Sequence, residues 1–323
     1  MSIIKVRDVA YPIIQVPELG DQEEFLQDFG MKTAFKDDIF LFMHGAGKEQ
    51  YLHVSKKGER KFIGTAFYAI SFEDLNALSK EDQFSSVEEI DALGGGFKVT
   101  GEDLDGITIE VVFGIEERKP DKESLKNIPS NLGGVDRKDF KRINETKRVG
   151  KPRSSTIKKF GHIGHNVADV SKSFEWYNKY FGFIPSDIVA VTDDLYGAMF
   201  CRCDLGEEPT DHHTLLIGSN LTSAGISGLN HASYEVADVD DVFLGHEVLK
   251  DKGYRHEWGI GRHYLGSQVF DYWRSPYGHV HEHMCDTDVF DNKKEPGITN
   301  VAEAAGMQWG PDLTGTFGND EGV

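Results

Sequence analysis

FGHIGHNVADVSKSFEWYNKYFGF (Phe160–Phe183) and LNHASYEVADVDDVFLGHEVLKDKGY (Leu229–Tyr254) share one pattern. Each opens with an alternating stretch of strand character and turns at Val-Ala-Asp, where Asp169 or Asp238 can cap a helix. An amphipathic helix follows and ends at Gly182 or Gly253. Weaker copies occupy the first half: VAYPIIQVPELGDQEEFLQDFGM (Val9–Met31) and GTAFYAISFEDLNALSKEDQ (Gly64–Gln83), the latter closed by DGITIEVVFG (Asp105–Gly114). That closing strand parallels YGHVHEHMCD (Tyr277–Asp286). Four copies of a strand, a helix and further strands, taken two by two, predict an α+β protein. It has two domains, each of paired βαβββ modules forming a curved mixed sheet around a funnel suited to a ligand.

The expected boundaries are a first domain over 1–115, a connection over 116–157, a second domain over 158–291 and a tail over 292–323. The connection, with EERKPDKESLKN and DRKDFKRINETKRVGKPRSS, is charged and lacks sustained periodicity. It reads as a solvated segment packed on the domains, with room for a short helix. The tail is rich in Gly, Asn and Asp and carries scattered apolar residues such as Val301, Met307 and Trp309. Disorder and an arm over a neighbouring subunit are both compatible with it, and a homo-oligomer is expected.

A chain of 323 residues with 39% hydrophobic content can fill two modest cores. The opening MSIIKVRDVAYPIIQV has neither the basic stretch nor the apolar run of a secretion signal, and no membrane-length apolar run follows, so a cytoplasmic protein is expected. Cys201, Cys203 and Cys285 make an odd count without CxxC spacing, which supports neither disulfides nor a thiolate zinc site. A formal charge of −19 repels phosphate backbones and anionic lipid, so nucleic acid and membranes are not expected partners.

Alignment on the Val-Ala-Asp turn brings His162 and His231 to equivalent points. His165 is an odd number of positions from His162 and would face the other side of a regular strand. In the last strand, parity sets His279, His281 and His283 on one face and Glu282 on the other, so either a three-histidine cluster or Glu282 looks inward. Laying DGITIE over YGHVHE puts Glu110 on Glu282, which favours the carboxylate. The first half has Tyr11 and Thr65 at the positions read as matching His162 and His231, so it should bind no metal. Two imidazoles and one carboxylate suit Fe(II), or Mn(II), with exchangeable positions left open.

The stretch GRHYLGSQVFDYWRSPYGHVHE (Gly261–Glu282) resembles the signature of the vicinal oxygen chelate superfamily and, within it, of the two-domain type I extradiol ring-cleavage dioxygenases. The resemblance extends over the chain to about Asp291. It implies that His162, His231 and Glu282 bind the metal, that His263 is the signature histidine and Tyr272 the signature tyrosine. DHHTLLIG (Asp211–Gly218) is similar to the strand carrying the family's acid–base histidine, hence His213, or His212 if the register slips by one. Two positions depart from the pattern: Asp271 stands where an apolar residue usually precedes the tyrosine, and Ser275 precedes the proline.

What the resemblance implies is cleavage of a catechol beside the diol by O2 at Fe(II), yielding a muconic semialdehyde-type product without an organic cofactor. His213 would serve as base and acid, with Tyr272 and His263 orienting substrate and oxygen through hydrogen bonds. Two other functions share the fold. A glyoxalase-type isomerase or lyase would use a second carboxylate ligand, and a small-molecule binder would lack the triad.

Overall fold

The computed structural model describes residues 2–125, 129–131, 135–147, 152–223 and 225–318. The first half contains β1 (Val6–Val16), α1 (Leu19–Asp28), β2 (Lys32–Lys36), β3 (Phe40–His44), β4 (His53–Lys57), β5 (Lys61–Ala69), α2 (Phe72–Leu78), β6 (Glu88–Glu89), β7 (Phe97–Glu102) and β8 (Thr108–Phe113). Its strands form one sheet in the order β2-β3-β4-β1-β5-β8-β7-β6. The second half begins with β9 (Ile157–Val167), α3 (Val170–Phe181), β10 (Phe183–Thr192), β11 (Leu195–Cys203), β12 (Thr210–Asp211), β13 (Leu215–Ser219) and β14 (Gly228–Val236). It continues with α4 (Val239–Asp251), β15 (Arg255–His263), β16 (Val269–Arg274), β17 (Val280–Cys285), β18 (Val289–Phe290), β19 (Gly297–Asn300), α5 (Val301–Ala304) and β20 (Met307–Trp309). The second sheet runs β19-β10-β11-β13-β9-β14-β17-β16-β15-β20, and β12 pairs separately with β18.

The repeat is visible in the pairing. The first strand of each module lies parallel to its last: β1 with β4, β5 with β8, β9 with β13 and β14 with β17. Modules then join in pairs through their first strands, β1 antiparallel to β5 and β9 antiparallel to β14. Each domain therefore has a local two-fold relation between its halves. The Val-Ala-Asp turns act as read from the sequence: Asp169 accepts from the Lys172 amide, and Asp238 from the Asp241 amide. Each such cap contributes about 1 kcal/mol. Gly182 closes α3 with φ 72°, a left-handed conformation that glycine adopts without a Cβ clash.

One face of each sheet lines a cavity, and the opposite faces meet. Between them lies α1, whose Phe29 ring stacks on His283 at 3.7 Å and whose Phe25 ring meets His281 edge-on at 5.2 Å. His283 Nε2–H donates to the Phe29 carbonyl at 2.7 Å. His165 is bracketed by the hydroxyls of Thr65 at 2.9 Å and Tyr177 at 3.0 Å. The largest apolar cluster therefore runs through both domains, with a smaller one beside each cavity, and the histidines on the backs of β9 and β17 are spent on the domain interface.

In the charged connection the Arg118 guanidinium donates to the carbonyls of Gly45 at 3.2 Å and Gly47 at 2.7 Å. Lys147 reaches Asp238 at 2.8 Å and Asp240 at 2.5 Å. Its only helical turn among the described residues is the 3-10 turn Arg137–Asp139; 126–128, 132–134 and 148–151 lie outside the described residues. As far as Gly318, the tail takes a course that sequence alone does not suggest. Strand β19 adds parallel to β10 at one edge of the second sheet, and β20 adds antiparallel to β15 at the other. The segment between them crosses the mouth of the second cavity. Among the described residues, no helix is long and apolar enough to cross a membrane.

Acid should weaken the domain interface. Burial pushes His165 down to about 3 and His281 to about 4, against about 6.5 in an unfolded chain. The unfolded chain then takes up protons first. Stability is full above about pH 6.5 and falls towards about pH 4, by up to about 1.4 kcal/mol per pH unit for each group. Urea unfolding across this range should show the decline, and His281→Phe should make it shallower; an unchanged slope would contradict the assignment.

Candidate metal centre

Register brings the three predicted ligands together. His162 on β9 stands opposite Ser233 on β14, and Ser233 stands opposite Glu282 on β17, so His162 and Glu282 share the cavity face. His231, two residues before Ser233, shares it too. The Nε2 atoms of His162 and His231 are 2.9 Å apart, and Glu282 Oε2 lies 3.2 Å from the first and 3.8 Å from the second. Donors bound at right angles to one ion at about 2.1 Å would stand about 3 Å apart. All three side chains are buried, Glu282 completely.

Neither oxygen of Glu282 has a hydrogen-bond partner among the described residues. Burial pushes its carboxyl pKa up, yet the adjacent His162 and His263 imidazoles hold it well below the usual carboxylate range, so the group stays ionised. An unpaired buried carboxylate costs several kcal/mol, and a divalent cation between the three side chains removes that cost. The donor set therefore fits a metal, and its two imidazoles and one carboxylate suit iron or manganese.

Hydrogen bonds behind the cluster prepare it. His231 Nδ1–H donates to Asn230 Oδ1 at 2.7 Å, which leaves the Nε2 lone pair on the metal side. Asn230 Nδ2 donates to Asn166 Oδ1 at 2.8 Å, and Asn166 Nδ2 to the Gly318 carbonyl at 3.0 Å. Burial and the neighbouring His162 push His231 down to about 3, so it remains a neutral ligand.

The remaining predicted residues surround a cavity of about 110 Å³ above the cluster. His213 lines it, with its ring centroid 4.0 Å from that of His162. His212 turns away: its Nε2 meets Asp187 Oδ2 at 2.7 Å and its Nδ1 meets His213 Nδ1 at 3.0 Å. In the tautomer in which His212 donates from Nε2 to Asp187 and accepts at Nδ1, His213 donates from Nδ1 and keeps its own Nε2 lone pair free. His263 Nε2 and the Tyr272 hydroxyl are 2.9 Å apart. Phe317 of the tail packs edge-on against Tyr272 at 4.8 Å and lies 5.1 Å from Trp258.

Sequence reasoning missed Asp187, Gln268 and Phe317. Asp187 and Phe317 are brought in by tertiary pairing of β10 and by the tail, which leave no local signal. Gln268, buried at the cavity with both amide atoms unpartnered among the described residues, had only its place in the signature stretch. Asn230 was adjacent to a recognised ligand and could have been found there.

The first domain repeats the frame without the metal donors. Glu110 accepts from the Tyr11 hydroxyl at 2.8 Å and from Lys98 at 2.5 Å. Register corrects one pairing: Ala66 lies between Tyr11 and Glu110 as Ser233 lies between His162 and Glu282, so Gly64, not Thr65, corresponds to His231. Thr65 faces the other side, towards His165.

Residues 159–282 match the model of the Glyoxalase/Bleomycin resistance protein/Dioxygenase superfamily. Metapyrocatechase 2 of Cupriavidus necator is 27% identical, with 97% of this chain and 91% of that protein covered. Homoprotocatechuate 2,3-dioxygenase from Brevibacterium fuscum, in complex with 3,4-dihydroxyphenylacetate, superposes with a TM-score of 0.77 at 15% identity, covering 98% of this chain and 92% of that one. A Mn(II)-bound glyoxalase from Novosphingobium aromaticivorans gives 0.76 at 21% identity, covering 96% and 93%. The second half thus resembles this superfamily, and over nearly its whole length the chain is similar in sequence to a metapyrocatechase and in fold to a two-domain ring-cleavage dioxygenase.

Chelator treatment should lower the thermal unfolding midpoint of the wild-type protein. Glu282→Gln, which removes the buried charge, should retain no stoichiometric Fe(II) or Mn(II) and should lose less of its unfolding midpoint to chelator than the wild type, as read by metal analysis and calorimetric scans. Stoichiometric Fe(II) or Mn(II) in that variant would refute the ligand assignment.

Proposed function

We propose that the protein cleaves a catechol beside its diol with O2, using Fe(II) held by His162, His231 and Glu282, to give a yellow muconic semialdehyde-type product. Mn(II) fits the same donors. One observation carries this reading over the glyoxalase type. The local two-fold relates His162 to His231, and it relates Glu282, paired through Ser233, to Leu216, paired through Gly164. The position that would supply a second carboxylate is a leucine, which leaves one side of the metal open to a bidentate substrate and a second reactant.

Bound there, the ion would supply Lewis acidity towards the two ring oxygens and, as iron, a redox couple for O2. The protein's side chains supply the rest. His213, kept neutral by burial, would accept a catechol proton at Nε2 and can later donate it to a product oxygen. Burial and the nearby Glu282 keep the Tyr272 hydroxyl pKa well above 10, so Tyr272 remains a hydrogen-bond donor to a ring oxygen. His263, beside that hydroxyl and lining the same cavity, would offer a second hydrogen bond to a bound reactant. Trp258, Phe317 and Leu216 exclude water and hold the ring.

The lining also favours an uncharged substrate. Among the described residues that line this cavity, none is Lys or Arg, so a carboxylate on the ring substituent would be buried without a counter-ion. The small volume suits a single ring.

His213→Ala should keep its metal but lose at least about 100-fold in kcat, the usual scale of one acid–base group. Catechol or a methylcatechol should exceed 3,4-dihydroxyphenylacetate in kcat/KM by at least about 10-fold, since one buried unpaired charge costs more than about 1.4 kcal/mol. Oxygen uptake and the appearance of yellow product measure both. Absence of O2 uptake with every catechol in the iron-loaded protein would overturn the proposal.

A further inference from the structure

Asp271 follows Phe270 and precedes Tyr272 on β16, so its side chain leaves the sheet on the face opposite the catalytic cavity. The signature expects an apolar residue here, and the carboxylate is fully buried. Two imidazoles converge on it from separate elements. His256 Nε2, from β15, is 2.8 Å from Oδ1, and His246 Nδ1, from α4, is 3.3 Å from the same atom and 3.1 Å from Oδ2. The two rings are 5.0 Å apart and nearly perpendicular.

We propose that His246, His256 and Asp271 form a second divalent-metal site, of the zinc class, distinct from the His162, His231 and Glu282 centre. The three donor atoms lie within 4.8 Å of one another. An ion with tetrahedral bonds of about 2.0–2.1 Å would have donor separations of about 3.3 Å. Trp273 Nε1–H donates to Asp271 Oδ2 at 2.5 Å, which fixes the carboxylate and leaves Oδ1 as the metal-facing atom. Gly259, at φ 124°, keeps the space beside Oδ1 clear, because a Cβ there would stand 3.0 Å from it. The imidazole side chains are 18% and 32% exposed, so an ion can enter from solvent and take water as its fourth ligand.

Imidazole and carboxylate donors in a small, part-exposed tetrahedral site select Zn(II) among abundant divalent ions. Two neutral imidazoles and one carboxylate would leave a net charge near +1, which suits a chain of formal charge −19. The ion would tie α4 to β15 and β16, the strands that carry His263 and Tyr272. Without an ion, Asp271 can accept N–H from both rings in nearly the same geometry, so metal uptake distinguishes the two states.

The test uses the full chain, stripped with chelator and titrated with Co(II) as an optical probe and Zn(II) in equilibrium dialysis. Wild type should take up two equivalents. Glu282→Gln should take up one, with the intense visible bands of tetrahedral Co(II), and His246→Gln/His256→Gln should lose one equivalent together with those bands. The second variant changes only part-exposed side chains, so the buried carboxylate is left in place. Failure of Glu282→Gln to bind Co(II) or Zn(II), or retention of both equivalents by the double variant, would overturn the site. Ring cleavage by the iron-loaded protein is read separately and does not enter this outcome.

Discussion

The carboxylate of Glu282 is the constraint on which the site and much of the fold depend. It is a charge placed on a central strand, wholly buried and without a hydrogen-bond donor among the described residues. Such a group is tolerable only opposite a cation, and the two imidazoles that approach it contribute lone pairs when neutral. The parity that turns Glu282 into the cavity turns His281 and His283 onto the opposite face, where they become the surface that α1 covers. One strand thus builds the candidate metal site with one face and the domain junction with the other.

The two domains resolve the same problem differently. Glu110 and Glu282 occupy equivalent positions in equivalent sheets. In the first domain a phenol and an ammonium satisfy the carboxylate, and in the second two imidazoles frame a place for an ion. Symmetry within the second domain is equally informative. The four positions related by the local two-fold hold His162, His231, Glu282 and Leu216, and the apolar member gives the centre its open side. Such a site can gather two reactants at once, which one with four protein ligands does less readily.

Much of this was legible in the sequence because repeats and strand parity are local properties. The doubled Val-Ala-Asp turn marked β9, α3, β14 and α4. Parity separated His162 from His165 and Glu282 from its flanking histidines. The equivalence of Thr65 with His231 was off by one, because it relied on aligned letters, whereas the sheets contain bulges that only pairing reveals. The Asp187–His212–His213 chain and the course of the tail depend on contacts between segments far apart in sequence. Composition described the tail's polarity but not the two open sheet edges to which its strands add.

The back-to-back packing of the domains couples them mechanically. A duplicated domain without metal donors would ordinarily be free to diverge. Here Phe25 and Phe29 seal His281 and His283, immediate neighbours of Glu282 on the same strand. A change at Phe25 or Phe29 therefore bears on the strand that carries Glu282, and the first domain serves as the wall against which that strand is held in place.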